Sequence, residues 1–320
     1  MSERRLETPV AFIIFNRPDT TERVFKEISK VRPRRLLVVG DGPRTSKAGE
    51  AEKVAQTRAV IEKVDWDCEV MTNFTTENLG CKRRVSSGMD WVFGLTERAI
   101  VLEDDCMPSS SFFRYCEDLL EKYADDDRVF SISGDNFLNR RYPENYSYYF
   151  SRYPHPWGWA SWRRAWKHYD VTISDWPALR DAVWLARQFD TENEVRYWTR
   201  TFDAVHAGNI DTWDYQLFLA AWKREALITV PAVNLISNIG FRLDATHTTY
   251  KETGAEQATG HLEFPLVHPA EVSRAVSADR ATNNRMFARP PLRRFLWWAD
   301  RAVRVVWSIA MGRFKSALGK

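Results

Sequence analysis

Within its first 135 residues the chain sets five short apolar runs between stretches of helical periodicity, and that alternation admits few architectures. The runs are Val10 to Phe15, Arg35 to Val39, Cys68 to Thr72, Ala99 to Leu102 and Val129 to Ser133. Strand-length runs that alternate with helices build a mostly parallel sheet with helices on its faces. The spacing of Val24, Phe25, Ile28 and Val31 predicts a first helix, capped by Asp19 or Thr20. Further helices are expected from about Lys47 to Val64, from the turn Glu77-Asn78-Leu79-Gly80 through Phe93, and from Pro108 and Ser109 to about Tyr123. The fold class is therefore α/β, a mostly parallel sheet flanked by helices.

The fourth run ends directly in Glu103-Asp104-Asp105. Consecutive acids at the end of a buried strand repel one another unless a proton or cation neutralises them. Ligands of such sheets gather at that carboxyl edge. The economical reading is a hard divalent ion, Mg²⁺ or Mn²⁺, held by one or two carboxylates and by substrate phosphates. An acidic surface turn is the plain alternative. Loops that open at the same edge carry Arg17, able to bond a phosphate or a base, and Asp41, able to accept from a ring N–H such as that of uracil. Lys82, Arg83 and Arg84 sit where the start of the third helix could meet a phosphate. Asp214 opens the apolar run Tyr215 to Trp222 and suits a general base, or equally a helix N-cap. His247 is a candidate further metal ligand, or a satisfied loop histidine.

Composition removes several function classes. With 46 Lys plus Arg against 43 Asp plus Glu, a net charge of +3 gives no general affinity for nucleic acid. Cys68, Cys81, Cys106 and Cys116 show neither a CxxC pair nor zinc spacing, which suits reduced thiols in the cytoplasm. The opening MSERRLETPV has no apolar core for a cleaved leader, and no apolar stretch of about 18 residues is available to span a bilayer.

Seven tryptophans, Trp157, Trp159, Trp162, Trp166, Trp176, Trp184 and Trp198, crowd the middle of the chain. They can fill a core or offer platforms for sugar rings, and Trp157 and Trp159 stand in the most loop-like stretch. Helices are expected across Arg163 to Tyr169, Pro177 to Phe189 and Glu192 to Ala207. From Arg289 onward there are eight basic residues and one acid, and apolar positions from Leu292 to Ala310 recur at helical spacing. That tail reads as a basic amphipathic helix for the inner face of an anionic membrane, or as a terminal helix docked on its own domain.

The segments AFIIFNRPDTTERVFKEI, VVGDGPR, ENLGCKRRVSSGMDWVF, AIVLEDDCMPSSSFFRYC, GWASWRRAW and TWDYQLF, within residues 9–222, together resemble the inverting GT-A glycosyltransferases. The resemblance is closest to bacterial relatives of the Golgi N-acetylglucosaminyltransferases that act on mannose, among the nucleotide-diphospho-sugar transferases. It implies one GT-A domain with a nucleotide-sugar half at residues 1–135, an acceptor and catalytic half at 136–288 and the tail helix at 289–320. It implies further that Arg17 and Asp41 contact the nucleotide of a diphosphate-sugar donor, a UDP-sugar above others. Glu103, Asp104 and Asp105 would be the DxD equivalent with Asp105 on the metal, and Asp214 the base that activates a glycan or lipid-linked acceptor. Glu103 departs from the family's first Asp. A sugar nucleotidyltransferase is the competing enzyme reading, although Phe15-Asn16-Arg17-Pro18 lacks its Gly-rich loop. A membrane-peripheral scaffold without catalysis is the competing non-enzyme reading.

Overall fold

The computed structural model describes residues 5–138, 140–240 and 257–287. His247 and the expected tail helix lie outside the described residues. In chain order the elements are β1 (Val10–Ile14), α1 (Pro18–Val31), β2 (Arg35–Gly40), α2 (Glu50–Ala59), β3 (Glu69–Phe74), α3 (Gly80–Leu95), β4 (Arg98–Glu103), β5 (Cys106–Pro108), α4 (Phe112–Lys122) and β6 (Val129–Ser133). They continue with β7 (Tyr148–Ser151), β8 (Trp159–Trp162), α5 (Arg163–Trp166), α6 (Trp176–Asp181), α7 (Trp184–Gln188), α8 (Glu192–His206), α9 (Asp214–Lys223), β9 (Leu227–Pro231), β10 (Ile236–Asn238) and α10 (Val276–Met286).

Eight strands form one sheet in the order β3-β2-β1-β4-β8-β6-β9-β7, and β5 pairs with β10 in a separate antiparallel ribbon. The four strands β3, β2, β1 and β4 are mutually parallel, so their carboxyl ends share one edge. The fold is α/β, with a mostly parallel central sheet flanked by helices. β8 runs antiparallel between β4 and β6, so the sheet continues from the first half of the chain into the second.

Every residue of β1 is buried, as expected of a strand covered on both faces. Side chains of a strand alternate between faces, and the cores follow that period. Val10, Phe12 and Ile14 pack with Leu36, Val38, Ile100 and Leu102 against α1 and α4. Ala11 and Ile13 pack with Leu37, Val39, Ala99 and Val101 against α3 and α9.

The differences from the sequence reading have local causes. α1 begins at Pro18, whose fixed φ and missing N–H suit the first helical position, so neither Asp19 nor Thr20 is the cap residue. The helix expected from Pro108 starts at Phe112 because Cys106–Pro108 is taken by pairing with β10. The helix expected from Pro177 to Phe189 is split into α6 and α7 at Val183, which adopts a left-handed φ of 51°. The helix expected to Val64 closes as a 3₁₀ turn over Val60–Lys63.

Most of the tryptophans are core residues. Trp159, Trp162 and Trp166 are buried on the sheet, and Trp176 and Trp198 anchor a third, helical core with Tyr153, Phe202, Phe218 and Trp222. Trp159 opens β8 and stacks on Trp213 at 5.7 Å, so it is not a loop platform. Trp157 alone of the loop pair stays half-buried. No helix among the described residues is long and apolar enough to cross a membrane.

Trp198 is fully buried, with ring centroids of Trp222 and Phe218 at 4.7 and 5.1 Å. Trp198→Ala is expected to cost about 3–5 kcal/mol in denaturant unfolding, whereas the half-buried Trp184→Ala costs much less. Equal small losses would show that the helical core contributes little to the cooperative unit.

Candidate active site

A cavity of about 300 Å³ opens at the carboxyl edge of the parallel strands. Its walls are Ile13, Ile14, Phe15 and Arg17 at the end of β1, Asp41 and Arg44 after β2, Asn78 before α3 and Gly80, Cys81, Arg84 and Val85 within it, Glu103 to Asp105 at the end of β4, and Asp211. Burial of β4 on both faces carries the three acids into a region of low dielectric. Asp104 is held from both sides: Phe15 N–H donates to Oδ2 at 2.9 Å and Arg17 Nη1 reaches Oδ1 at 3.5 Å. The same Arg17 nitrogen makes a short bond to Asp105 Oδ2.

Burial, and then the neighbouring charges of Asp105 and Asp104, push the Glu103 carboxyl up to about 8. Burial also raises Asp104 to about 7, against the pull of Arg17. Burial opposes the Arg17 cation, but Asp104 and Asp105 outweigh it and its pKa rises further. Gly240 lies directly above. A Cβ there would fall 2.1 Å from Asp105 Oδ2 and 2.9 Å from Arg17 Nη1, so a side chain cannot be accommodated without moving the ion pair. The backbone of Ile239 fixes the same turn by donating to Asp105 O at 2.8 Å.

The other expected residues fall in different surroundings. Asp41 lines the cavity, but its carboxylate is committed to the protein: Oδ1 accepts from Gly42 N, Thr75 Oγ1 and Leu79 N, and Oδ2 from Asn78 Nδ2 and Gly80 N. The N-terminus of α3, expected to receive a phosphate, is filled by carboxylates. Asp211 accepts from Cys81 N at 3.2 Å and from Lys82 N at 3.0 Å. The Lys82 side chain is not part of the cavity wall. Arg84 is buried and donates to Asn73 O and Oδ1 at 2.7 and 2.6 Å, which makes it a strut between α3 and β3.

Asp214 is the first residue of α9 and not its cap; its Oδ1 accepts from Tyr215 N at 2.9 Å and makes a short bond with Thr212 Oγ1. It stands beside the cavity wall, close enough for its charge to act on Glu103 and on Cys81. Burial first, and then Glu103, Asp211, Asp214 and Asp41, raise the Cys81 thiol, so it stays protonated.

Sequence reasoning missed Arg44, Asp211 and Gly240. Arg44 lies 5.6 Å from the Phe15 ring centroid and is braced by Glu50, which also accepts from Asn16 Nδ2 at 2.9 Å. Its signal was its place in VVGDGPR; Asp211 and Gly240 had none beyond proximity in sequence to Asp214 and His247. Among the described residues no three His, Cys, Asp or Glu side chains already converge as a metal cage.

No family model matches this chain, and no curated protein matches it. Among solved structures it is similar to a UDP-glucose pyrophosphorylase complexed with UDP-glucose, at 13% identity over 45% of this chain and 62% of that one, with a TM-score of 0.26. A likeness of that size bears on neither ligand nor activity.

At the end of β6 the edge carries a second buried acid. Asp135 accepts from Ser133 Oγ at 2.8 Å, its Oδ2 has no partner, and burial pushes its carboxyl up to about 8. Between about pH 4, where an unfolded Asp titrates, and pH 8 the folded chain therefore holds a proton that the unfolded chain has lost, and stability falls as pH rises. Asp135→Asn should flatten this decline, by up to about 1.4 kcal/mol per pH unit. Parallel unfolding curves for the two proteins across that range would place an ionised carboxylate in the fold.

Proposed function

We propose that this chain is an inverting glycosyltransferase that moves a sugar from a nucleoside-diphosphate donor, a UDP-sugar above others, to a hydroxyl of a glycan or lipid-linked glycan. One observation carries the reading: five carboxylates, the acid triplet among them, and the Arg17 and Arg44 guanidiniums line a cavity with an apolar floor at the carboxyl edge of parallel strands. The apolar floor of Ile13, Ile14 and Val85 suits the flat face of a base, and Arg44 over Phe15 suits its rim. With both oxygens of Asp41 engaged by the protein, its part in this reading is to hold the loop before α3; the Asn78 amide nitrogen is held by Asp41 and Gly42, and the side-chain oxygen of Asn78 is the group that would accept from the base.

The donor set fits a hard divalent ion. When all three acids are ionised they outnumber Arg17 by two charges, and burial, with the neighbouring acids adding to it, raises the Glu103 and Asp104 carboxyls. Asp105, with Glu103, would hold Mn²⁺ or Mg²⁺ once Arg17 turns away from Asp105 Oδ2, while Asp104 is retained by the backbone N–H of Phe15. Such an ion, when bound, neutralises charge on a departing diphosphate. Arg17, already at the acids, can turn one N–H toward the same phosphates. Asp214 takes the proton of the acceptor hydroxyl; that oxygen bonds to the anomeric carbon as the bond from that carbon to the phosphate oxygen breaks, and the configuration inverts. His247 as a further ligand, and the basic tail as a contact to the cytoplasmic face of a membrane, belong to the proposal on the sequence alone.

Thermal unfolding with UDP, GDP, CMP or dTDP, with and without Mn²⁺, tests the donor site, since a ligand of the folded state alone raises the melting temperature. UDP with Mn²⁺ is expected to give the largest rise, and Asp105→Ala to lose the Mn²⁺-dependent part. A metal-dependent rise that survives in this variant would move the ion away from the triplet. Asp214→Asn should keep the rise while turnover drops by about 10²–10⁴. Turnover unchanged in that variant would remove Asp214 from the role of base.

A further inference from the structure

We propose that Asp211 is a positioning residue, a latch that ties the loop carrying Asp214 to the first turn of α3 and so sets where the base stands beside the donor cavity. The inference rests on the reading of Asp214 as base. On one side, Asp211 accepts from Cys81 N at 3.2 Å and Lys82 N at 3.0 Å, two N–H groups that have no partner inside α3. Gly80 is shaped for this approach. It adopts a φ of +77°, and a Cβ there would lie 2.9 Å from Asp211 Oδ2.

On the other side, the two residues between Asp211 and the base form one braced unit. Thr212 bonds to Asp214 through its hydroxyl, and Gln216 Nε2 donates to Thr212 O at 2.7 Å. Trp213 is buried against Trp159, and Tyr169 OH donates to its carbonyl at 3.0 Å. A movement of Asp211 is therefore passed to Asp214 without slack. Sequence separation emphasises the point: residues 81 and 211 are 130 apart, and this carboxylate spans from the donor half to the catalytic loop. An ordinary cap on α3 would contribute only to stability and would leave Asp214 where it is.

The test compares the full wild-type chain with Asp211→Ala and Asp211→Asn, the second keeping one acceptor oxygen should the first fail to fold. Hydrogen exchange is followed in peptides covering residues 78–85 and 210–219. The latch predicts that both peptides exchange about tenfold faster in Asp211→Ala, with partial recovery in Asp211→Asn. Faster exchange confined to residues 78–85 would reduce Asp211 to a cap and overturn the proposal. In transfer assays kcat should fall about tenfold or more, and the drop should disappear in an Asp214→Asn background. A drop of the same size in that background would also overturn it. A wild-type chain without transfer activity would refute the glycosyltransferase reading, and the exchange result would still decide the latch.

Discussion

The pairing of Arg17 with Asp104 and Asp105 is the constraint around which the carboxyl edge is organised. β4 is buried on both faces for reasons of packing, and it delivers three acids into a region where ionised carboxylates are poorly solvated. A single guanidinium and one backbone N–H meet that demand in part. Everything adjacent is fitted to keep them there. Pro18 directly follows Arg17 and starts α1, the β5–β10 ribbon closes over the turn, and a side chain at Gly240 would displace the ends of Asp105 and Arg17. The surplus charge that remains is the chemical signature of the site.

How much of this was legible in the sequence differs by scale. Strand and helix positions in the first half follow from local periodicity, and β1, β2 and β4 lie where their apolar runs put them. The acid triplet was visible for the same reason, since charge after an apolar run marks the end of a strand. The partners of Asp41 were not legible. They come from Thr75, Asn78, Leu79 and Gly80, brought to it by the return of the chain through β3, and a residue with every acceptor position taken looks in sequence the same as one that is open. Asp211 and Gly240 act across 130 and 135 residues, a separation that no local pattern encodes. β8 was hidden because its Trp159-Ala160-Ser161-Trp162 is too short and too aromatic to show a period of its own.

The tryptophans illustrate the same limit from the other side. Their density invited a reading as sugar platforms, yet burial assigns them by fold. Those in β8 and α5 cover the sheet, and those in α6 and α8 build a separate helical core around Tyr153, Phe218 and Trp222. That core gives α9 a face to lie against, while Leu217, Ala220 and Ala221 on its opposite side meet the sheet core. α9 is thus gripped between two cores, and its first residue, Asp214, is placed by packing on both flanks before any hydrogen bond is counted.

The charge of the cavity wall decides what can enter it. Five carboxylates, those of Asp41, Glu103, Asp104, Asp105 and Asp211, face three guanidiniums, those of Arg17, Arg44 and Arg84. The guanidiniums are each engaged by the protein, with the triplet, Glu50 and Asn73 respectively. The helix end that would ordinarily attract a phosphate presents Asp41 and Asp211 instead. With all of them ionised, the five carboxylates outnumber the three guanidiniums by two, and a diphosphate arriving alone would meet net repulsion. In the proposed reaction the attraction must come in with the ligand, as a divalent ion that satisfies the triplet and turns the acid surplus from a barrier into the seat of the donor.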